Sequence, residues 1–122
     1  MSYLSQSPRA YRESAVLTAS RAQLVVLLYD GALRFLHQAA IAMQAKDIQS
    51  TANKLRRAEN IINHLQGALD LEQGQVAENL NSIYLFCQRH LLQSRFDLDA
   101  EKVREVAALL ATLREAWAAI AQ

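Results

Sequence analysis

The chain is poor in the residues that interrupt helices, since its 122 residues include one proline, Pro8, and three glycines. Proline and glycine are the least favourable residues in a helix interior, whereas Ala, Leu, Gln, Glu and Arg are among the most favourable. A chain of this composition is predicted to be all-α. Its length suits a single domain that can build its own hydrophobic core.

The chain also has very little cysteine, no long apolar run and no excess of one charge. Cys87 is the only cysteine, so no internal disulfide can form. No apolar run approaches the ~20 residues needed to span a bilayer, and the first residues lack the apolar region of a secretory signal. The 13 basic residues balance the 12 acidic ones, which gives no electrostatic case for nucleic acid. We therefore expect a cytoplasmic protein without nucleic-acid binding or membrane insertion.

Motifs for catalysis and metal binding are absent from the sequence as well. No Glu is followed by His at the third place, as di-iron bundles require, and no P-loop, GxGxxG, CxxC or HExxH motif occurs. The histidines, His37, His64 and His90, are not predicted to cluster. Cys87 is predicted on a core face, where a free cysteine usually acts as a small buried hydrophobe. The sequence indicates a scaffold rather than an enzyme, with no cofactor and no metal.

Four long helices are predicted, at about residues 20–45, 48–71 and 75–95, with the fourth carrying the stripe from Val103 to Ile120. Ser20 and Asp47 are expected to cap the first two helices, and Asp97 or Asp99 the fourth. Gly74 is expected to take a left-handed conformation past the end of the second helix. Because the connections are short, the helices should form an antiparallel up-down-up-down four-helix bundle, residues 20–122.

Each helix has an apolar seam at heptad or helical spacing. The first seam consists of Leu24, Leu28, Ala32, Phe35 and Ala39. The second consists of Leu55, Ala58, Ile62, Leu65 and Leu69. The third and fourth consist of Val76, Leu80, Ile83, Cys87 and Leu91, and of Val103, Val106, Leu110, Leu113, Trp117 and Ile120. Residues 1–19 are read as an N-terminal tail, either disordered or docked on the bundle through Tyr11, with Tyr3 as a second anchor.

The first and third helices carry more apolar residues than their seams need. Off the seam lie Val26, Leu27, Leu33 and Ile41 in the first helix, and Leu85 and Leu92 in the third. Any one of them can be an ordinary flank residue, but a larger exposed patch usually marks an interaction site. Its occupant is a second copy of the chain, another protein or the tail.

Four further residues complete the sequence hypothesis. Ile61 is a less certain addition to this partner surface, and Asn79 and Asp30 are candidates to hydrogen-bond the partner backbone. Asp30 has an equal alternative, an i,i+4 ion pair with Arg34. Gly31, in mid-helix at the edge of the seam, is interpreted as a notch that lets a neighbouring helix come close.

Four segments of the chain resemble one protein family. They are VLTASRAQLVVLLYDGALRFL (16–36), LRRAENIINHLQGALD (55–70), GQVAENLNSIYLF (74–86) and LLATLREAW (109–117). Together and in this order they are similar to the flagellar secretion chaperones that bind flagellin. Arg21 departs from the pattern, since the family usually has proline there, at a position where proline is favoured but not required.

The resemblance implies a cytoplasmic four-helix bundle that binds the disordered C-terminal segment of flagellin in its apolar grooves. Binding would prevent premature filament polymerisation, and the chaperone would then deliver flagellin to export-gate components of the flagellar type III secretion apparatus. It further implies that the N-terminal tail covers part of the groove in the absence of flagellin. The alternatives are a structural or regulatory homodimer that buries the same patch against itself, and a metal- or cofactor-binding bundle enzyme.

Overall fold

A computed structural model of the chain describes residues 21–121, and every regular element in this range is helical. The elements are α1 (Arg21–Gln44), α2 (Ile48–Gly67), a 3-10 turn (Leu71–Gln73), α3 (Gln75–Asp97) and α4 (Ala100–Ala121). This confirms the all-α prediction. The expectations for the Ser20 cap, for the tail at 1–19 and for Tyr3 and Tyr11 lie outside the described residues.

The four helices form a bundle in which each one contacts two neighbours. α1 packs against α2 and α4, and α3 packs against the same two helices. Within the described residues α1 and α3 have no close backbone approach, so they occupy diagonal corners of the bundle. Short connections make sequential helices antiparallel, which confirms the up-down-up-down four-helix arrangement.

The helix ends follow the capping chemistry of the sequence with two differences. The Asp47 carboxylate accepts a hydrogen bond from the Ser50 N–H at 3.1 Å and caps α2, and Asp99 accepts one from the Glu101 N–H at 3.0 Å at the start of α4. α2 ends at Gly67, earlier than the expected 71, because a separate 3-10 turn follows it. Gly74 has a positive φ, +104°, but its ψ of −160° places it outside the left-handed helical region that was expected, and it precedes α3 instead of closing α2.

The α2 seam faces the core as the sequence predicts, because Leu55, Ala58, Ile62 and Leu65 are buried and Leu69 is half-buried. Three other seam assignments were wrong. The exposed exceptions are Leu24 in α1, Val76 in α3 and Ile120 in α4. All three lie in the first or last turn of their helices, at the same end of the bundle.

The core face of α1 is rotated from the predicted one. Tyr29, which is absent from the predicted seam, is fully buried, whereas the seam residues Leu28 and Phe35 are only half-buried. Gly31 is buried, and a Cβ placed on it would lie 3.3 Å from the Cδ1 atom of Ile61 in α2. Gly31 therefore lies inside α1 at a close contact with α2, as the packing-notch interpretation expects, but the close neighbour is the end of a side chain and not the helix backbone that was predicted.

α1 is also long and apolar enough to cross a membrane by length and composition alone. Core helices of soluble proteins meet the same criterion, and α1 lies between α2 and α4 in this bundle. The absence of membrane insertion stays a prediction.

Candidate functional site

The outer face of α1 carries exposed apolar side chains. Leu27 and Ile41 are 59% and 68% exposed, which agrees with their predicted place on the polar side of the helix. Val26 is half-buried, and Leu33 is partly buried where it packs against the core. The surplus apolar residues of α1 therefore form a strip along the helix. Their exposure rises from Val26 and Leu33, at the edge of the core, to Leu27 and Ile41 on the surface.

α1 and α4 together form a shallow groove beside this strip. Its volume is about 360 Å³, and its lining from α4 consists largely of alanines, which leave space between the helices. The lining residues are Leu33, His37, Ala40 and Ile41 from α1, and Arg104, Ala107, Ala108 and Ala111 from α4. Two predicted partner residues, Leu33 and Ile41, thus meet in one groove. The α4 half of the groove was missed, since small alanines give no signal in a search for surplus hydrophobicity.

The outer face of α3 carries a second set of exposed apolar residues. Leu85 and Leu92 are both exposed, and their separation of seven residues places them on one face. Phe96, one turn beyond Leu92, extends the same face and is also exposed. On the α4 side, Phe86 stacks on His90, with ring centroids 4.9 Å apart.

The two apolar faces do not form one patch. α1 and α3 are diagonal in the bundle, so their outer faces point to opposite sides. The structure therefore does not bring Leu27 and Ile41 together with Leu85 and Leu92. A partner that contacts both faces must extend around the bundle.

The remaining predicted partner residues make contacts within the chain. The Asp30 carboxylate accepts hydrogen bonds from Arg114 of α4 at 2.9 and 3.5 Å, so the expected pair with Arg34 was wrong. The Asn79 side chain accepts a hydrogen bond from Gln75 at 2.9 Å, and Ile61 packs against the core. The residue that pairs with the Asp30 carboxylate lies 84 positions away in the sequence, and helical spacing cannot predict such a pairing.

Among residues 21–121, one side-chain hydrogen bond joins the diagonal helices α1 and α3 through the interior of the bundle. The hydroxyl groups of Tyr29 and Tyr84 lie 2.5 Å apart, and both rings are buried. Burial raises the pKa of both tyrosines, and it raises the pKa of the neighbouring Cys87 thiol to about 11. These groups are therefore neutral at pH 7, and the core placement predicted for Cys87 is confirmed.

Each end of the bundle contains a further cavity that sequence reasoning missed. One, of about 330 Å³, lies where α1 begins and is lined by Val25, Leu69, Leu80 and Trp117 among others. The other, of about 430 Å³, lies at the opposite end, between the end of α1, the start of α2 and the end of α3. Within residues 21–121 no three His, Cys, Asp or Glu side chains are grouped as a metal site would require.

Comparisons with known proteins agree on one family. The family described as "Flagellar protein FliS" matches residues 4–122. The chain is similar to the flagellar secretion chaperone FliS of Salmonella typhimurium, with 40% identity over 107 residues that cover 86% of this chain and 79% of the relative. It is 38% identical to the Escherichia coli K12 chaperone, covering 94% and 89% of the two chains, and 30% identical to that of Bacillus subtilis, covering 88% and 80%.

Proposed function

Because the chain belongs to the flagellar protein FliS family and is a flagellar secretion chaperone, we propose that its cargo is the disordered C-terminal segment of flagellin. In this proposal the chaperone binds the segment in the cytoplasm and prevents premature filament polymerisation. It then delivers flagellin to export-gate components of the flagellar type III secretion apparatus. The protein acts by binding and not by catalysis.

The position of exposed apolar residues on opposite sides of the bundle carries this proposal. A rigid globular partner would cover one side, whereas a disordered segment can wrap a long path and fold where it finds apolar surface. Helix axes lie about 10 Å apart, so the outer faces of α1 and α3 are separated by roughly 25 Å across the bundle and by roughly 40 Å around it, a path that about twelve extended residues can span. A flexible segment therefore fits the surface better than a compact domain does.

The expected energy per contact is modest. Full burial of a Leu or Ile side chain contributes about 1.5–3 kcal/mol, and Leu27, Ile41, Leu85 and Leu92 are each about half-exposed. Each therefore contributes about 1 kcal/mol when it is covered. Ordering the segment costs a large part of the sum. We expect a complex that is specific but releasable, as the delivery of cargo requires.

Calorimetric titration of the chain with a synthetic peptide of the flagellin C-terminal segment tests the proposal. Absence of binding at tens of micromolar would contradict it. Leu27→Asp and Leu85→Asp test the two faces separately, and each should weaken binding about tenfold, because a charge then occupies an apolar contact. Leu71→Asp is the matched control, since Leu71 is exposed in the 3-10 turn and belongs to neither face. The far-ultraviolet circular dichroism of each variant verifies the fold.

The homodimer alternative predicts a different result. A dimer whose light scattering does not change with concentration, and which ignores the flagellin peptide, would replace the cargo hypothesis. We also propose that the tail at 1–19, through Tyr11, competes with cargo for the groove. Deletion of the tail should then tighten the binding of the peptide, because the two can no longer compete.

A further inference from the structure

Three cations converge on one aromatic ring where α1 packs against α2. The charged groups of Arg34, Lys54 and Arg57 lie 5.4, 5.8 and 5.6 Å from the centroid of the Phe35 ring. Arg57 is oriented further by the hydrogen bond that its Nε donates to Asn53 at 3.1 Å. The three positive charges therefore form one compact group, called here the Phe35 cluster, on the α1–α2 flank of the bundle.

The charges of the Phe35 cluster are not neutralised by the surrounding residues. Within residues 21–121 no carboxylate forms an ion pair with any of its three cations. The Phe35 ring has no net charge, so cation–π attraction orients the cations but leaves their charge in place. Arg56, which is exposed on α2, has no ion pair in the same range either, and it adds a fourth positive charge beside the cluster.

The positive excess of this flank remains when every carboxylate is counted. Residues 21–67, which comprise α1, α2 and their connection, contain six Arg and Lys residues and three Asp and Glu residues. Two of the three acids, Asp30 and Glu59, form ion pairs with arginines of α4 and α3. The third, Asp47, precedes Lys54 by seven residues, which is about 10 Å along a helix axis. The flank is therefore positive by direct count of its own residues.

The positive charge is confined to this flank. The whole chain has a formal net charge of +1, so all residues outside the Phe35 cluster and Arg56 together have a charge of −3. A long polyanion such as nucleic acid, or an anionic bilayer surface, would extend past the cluster and meet this negative remainder. A short acidic segment of a protein can place its carboxylates on the cluster alone, and guanidinium groups bind carboxylates in a two-pronged geometry.

The Phe35 cluster lies apart from the apolar surfaces to which the proposed function assigns the cargo. The groove of α1 and α4 is on the opposite flank of α1, and the outer face of α3 is at the diagonal corner of the bundle. A cargo segment that passes between them over α4 meets alanines, whereas over α2 it meets the amide hydrogen bonds that join Gln66 to Asn81 and Gln88. Cargo therefore leaves the α2 flank open. The openness of this flank rests on the proposed function, whereas the charge of the cluster does not.

We propose that the Phe35 cluster is a docking site for a short acidic segment of a protein partner other than the flagellin cargo. Lys54 and Arg57 are three residues apart on α2, so acidic side chains one helical turn apart in the partner can reach both. Arg34 faces them from α1 and binds a further carboxylate. A second copy of this chain related by a twofold axis through this flank would instead oppose the same cations, which disfavours it.

Titration of the chain with a short oligoglutamate peptide tests the proposal, with oligoglutamine of equal length as the neutral control. The wild type should bind oligoglutamate, more weakly as salt rises because salt screens exposed charges. The combined variant Arg34→Gln, Lys54→Gln and Arg57→Gln should lower this affinity about tenfold, since three exposed ion pairs are lost. Glutamine has high helix propensity, so the variant should keep the fold, which circular dichroism verifies.

A matched control removes the same charge from other places. The combined variant Arg21→Gln, Lys46→Gln and Arg89→Gln replaces three cations that have no ion pair within residues 21–121. It should change the affinity for oligoglutamate by less than about twofold, because no two of these cations belong to one cluster. An equal loss in both combined variants would overturn the proposal, because attraction by net charge would then explain the binding.

The remaining outcomes identify other occupants. Absence of oligoglutamate binding would overturn the proposal, and so would equally tight, cluster-dependent binding of a thymidine oligonucleotide or of phosphatidylglycerol vesicles. Self-association that the cluster variant abolishes, measured by light scattering, would assign the flank to a second copy of the chain instead.

The flagellin C-terminal peptide separates this proposal from the proposed function. The cluster variant should bind that peptide with unchanged affinity, and the wild-type complex with the peptide should still bind oligoglutamate. A loss of affinity for the flagellin peptide in the cluster variant would show that the cluster belongs to the cargo site, and the proposal of a separate partner would be wrong. If the wild type does not bind the flagellin peptide at all, the proposed function fails, and the oligoglutamate titrations still decide whether the cluster binds an acidic segment.

Discussion

The hydroxyl groups of Tyr29 and Tyr84 should be energetically coupled. Removing the Tyr29 hydroxyl should cost more stability than removing the Tyr84 hydroxyl. Replacement of either tyrosine by phenylalanine keeps the ring and removes one oxygen, so the loss is a hydrogen bond rather than packing. In Tyr84→Phe the Tyr29 hydroxyl still has a neighbouring donor, the side chain of Trp117, whose proximity counteracts part of the rise in the Tyr29 pKa. In Tyr29→Phe the buried Tyr84 hydroxyl loses the one partner that the described residues provide.

The expected costs follow from this asymmetry. A net hydrogen bond contributes about 1 kcal/mol, whereas a buried polar group left without a partner costs about 1–3 kcal/mol. We expect about 1 kcal/mol of lost stability for Tyr84→Phe and about 2 kcal/mol for Tyr29→Phe. The double variant leaves neither hydroxyl, so it should cost about 1 kcal/mol less than the sum of the single variants.

Urea unfolding followed by circular dichroism at the helical band measures all three variants. With an m-value of roughly 1–2 kcal/mol per molar urea, a loss of 2 kcal/mol moves the midpoint by about 1–2 M, which is easily resolved. Additive costs would show that the two hydroxyls do not interact. A larger cost for Tyr84→Phe than for Tyr29→Phe would refute the role assigned to Trp117.

Two more predictions concern buried groups. Gly31→Ala should change stability little. The gain of about 1 kcal/mol in helix propensity is offset by crowding between the new Cβ and the Ile61 methyl group, 3.3 Å away. Gly31→Leu should cost about 1–3 kcal/mol in the same urea assay, because the larger side chain does not fit the contact. Stability should fall as pH rises from 9 through 11, because the neutral Cys87 thiol, with its pKa raised from 9.0 to about 11, binds its proton more tightly in the folded state. Urea unfolding at pH 8 and at alkaline pH should show a loss on the order of 2 kcal/mol from this thiol, and Cys87→Ala should flatten the dependence.

The parts of the fold that were predicted correctly are those set by local spacing. Leu55, Ala58, Ile62 and Leu65 form the one apolar stripe of α2, so only one face of that helix can enter the core, and it does. The Asp47 cap was predictable for a similar reason, since a carboxylate three residues before an amide is a local feature.

The orientation of α1 could not be predicted in the same way. Apolar residues occur all round its first turns, so several rotations bury a similar number of them. The rotation of α1 is determined by contacts between residues distant in sequence. Tyr29 contacts Tyr84 across the core, and Ile61 packs against Gly31. The pairing of Asp30 with Arg114 arises in the same way. Periodicity along one helix contains no information on such contacts, because they depend on which helices become neighbours.

The seam between α2 and α3 limits where an apolar partner can bind. Gln66 donates a hydrogen bond to Asn81 at 2.9 Å, and Gln88 donates to Asn63 at 2.6 Å and to Gln66 at 2.8 Å. An apolar segment inserted there would break these three bonds and leave the amides without partners, at about 1 kcal/mol or more for each. The same segment meets no such cost in the alanine-lined groove of α1 and α4 or on the outer face of α3. In the proposed function, binding would therefore be directed to the outside of a bundle that stays closed, and the chaperone would keep its own core intact while a disordered segment folds upon it.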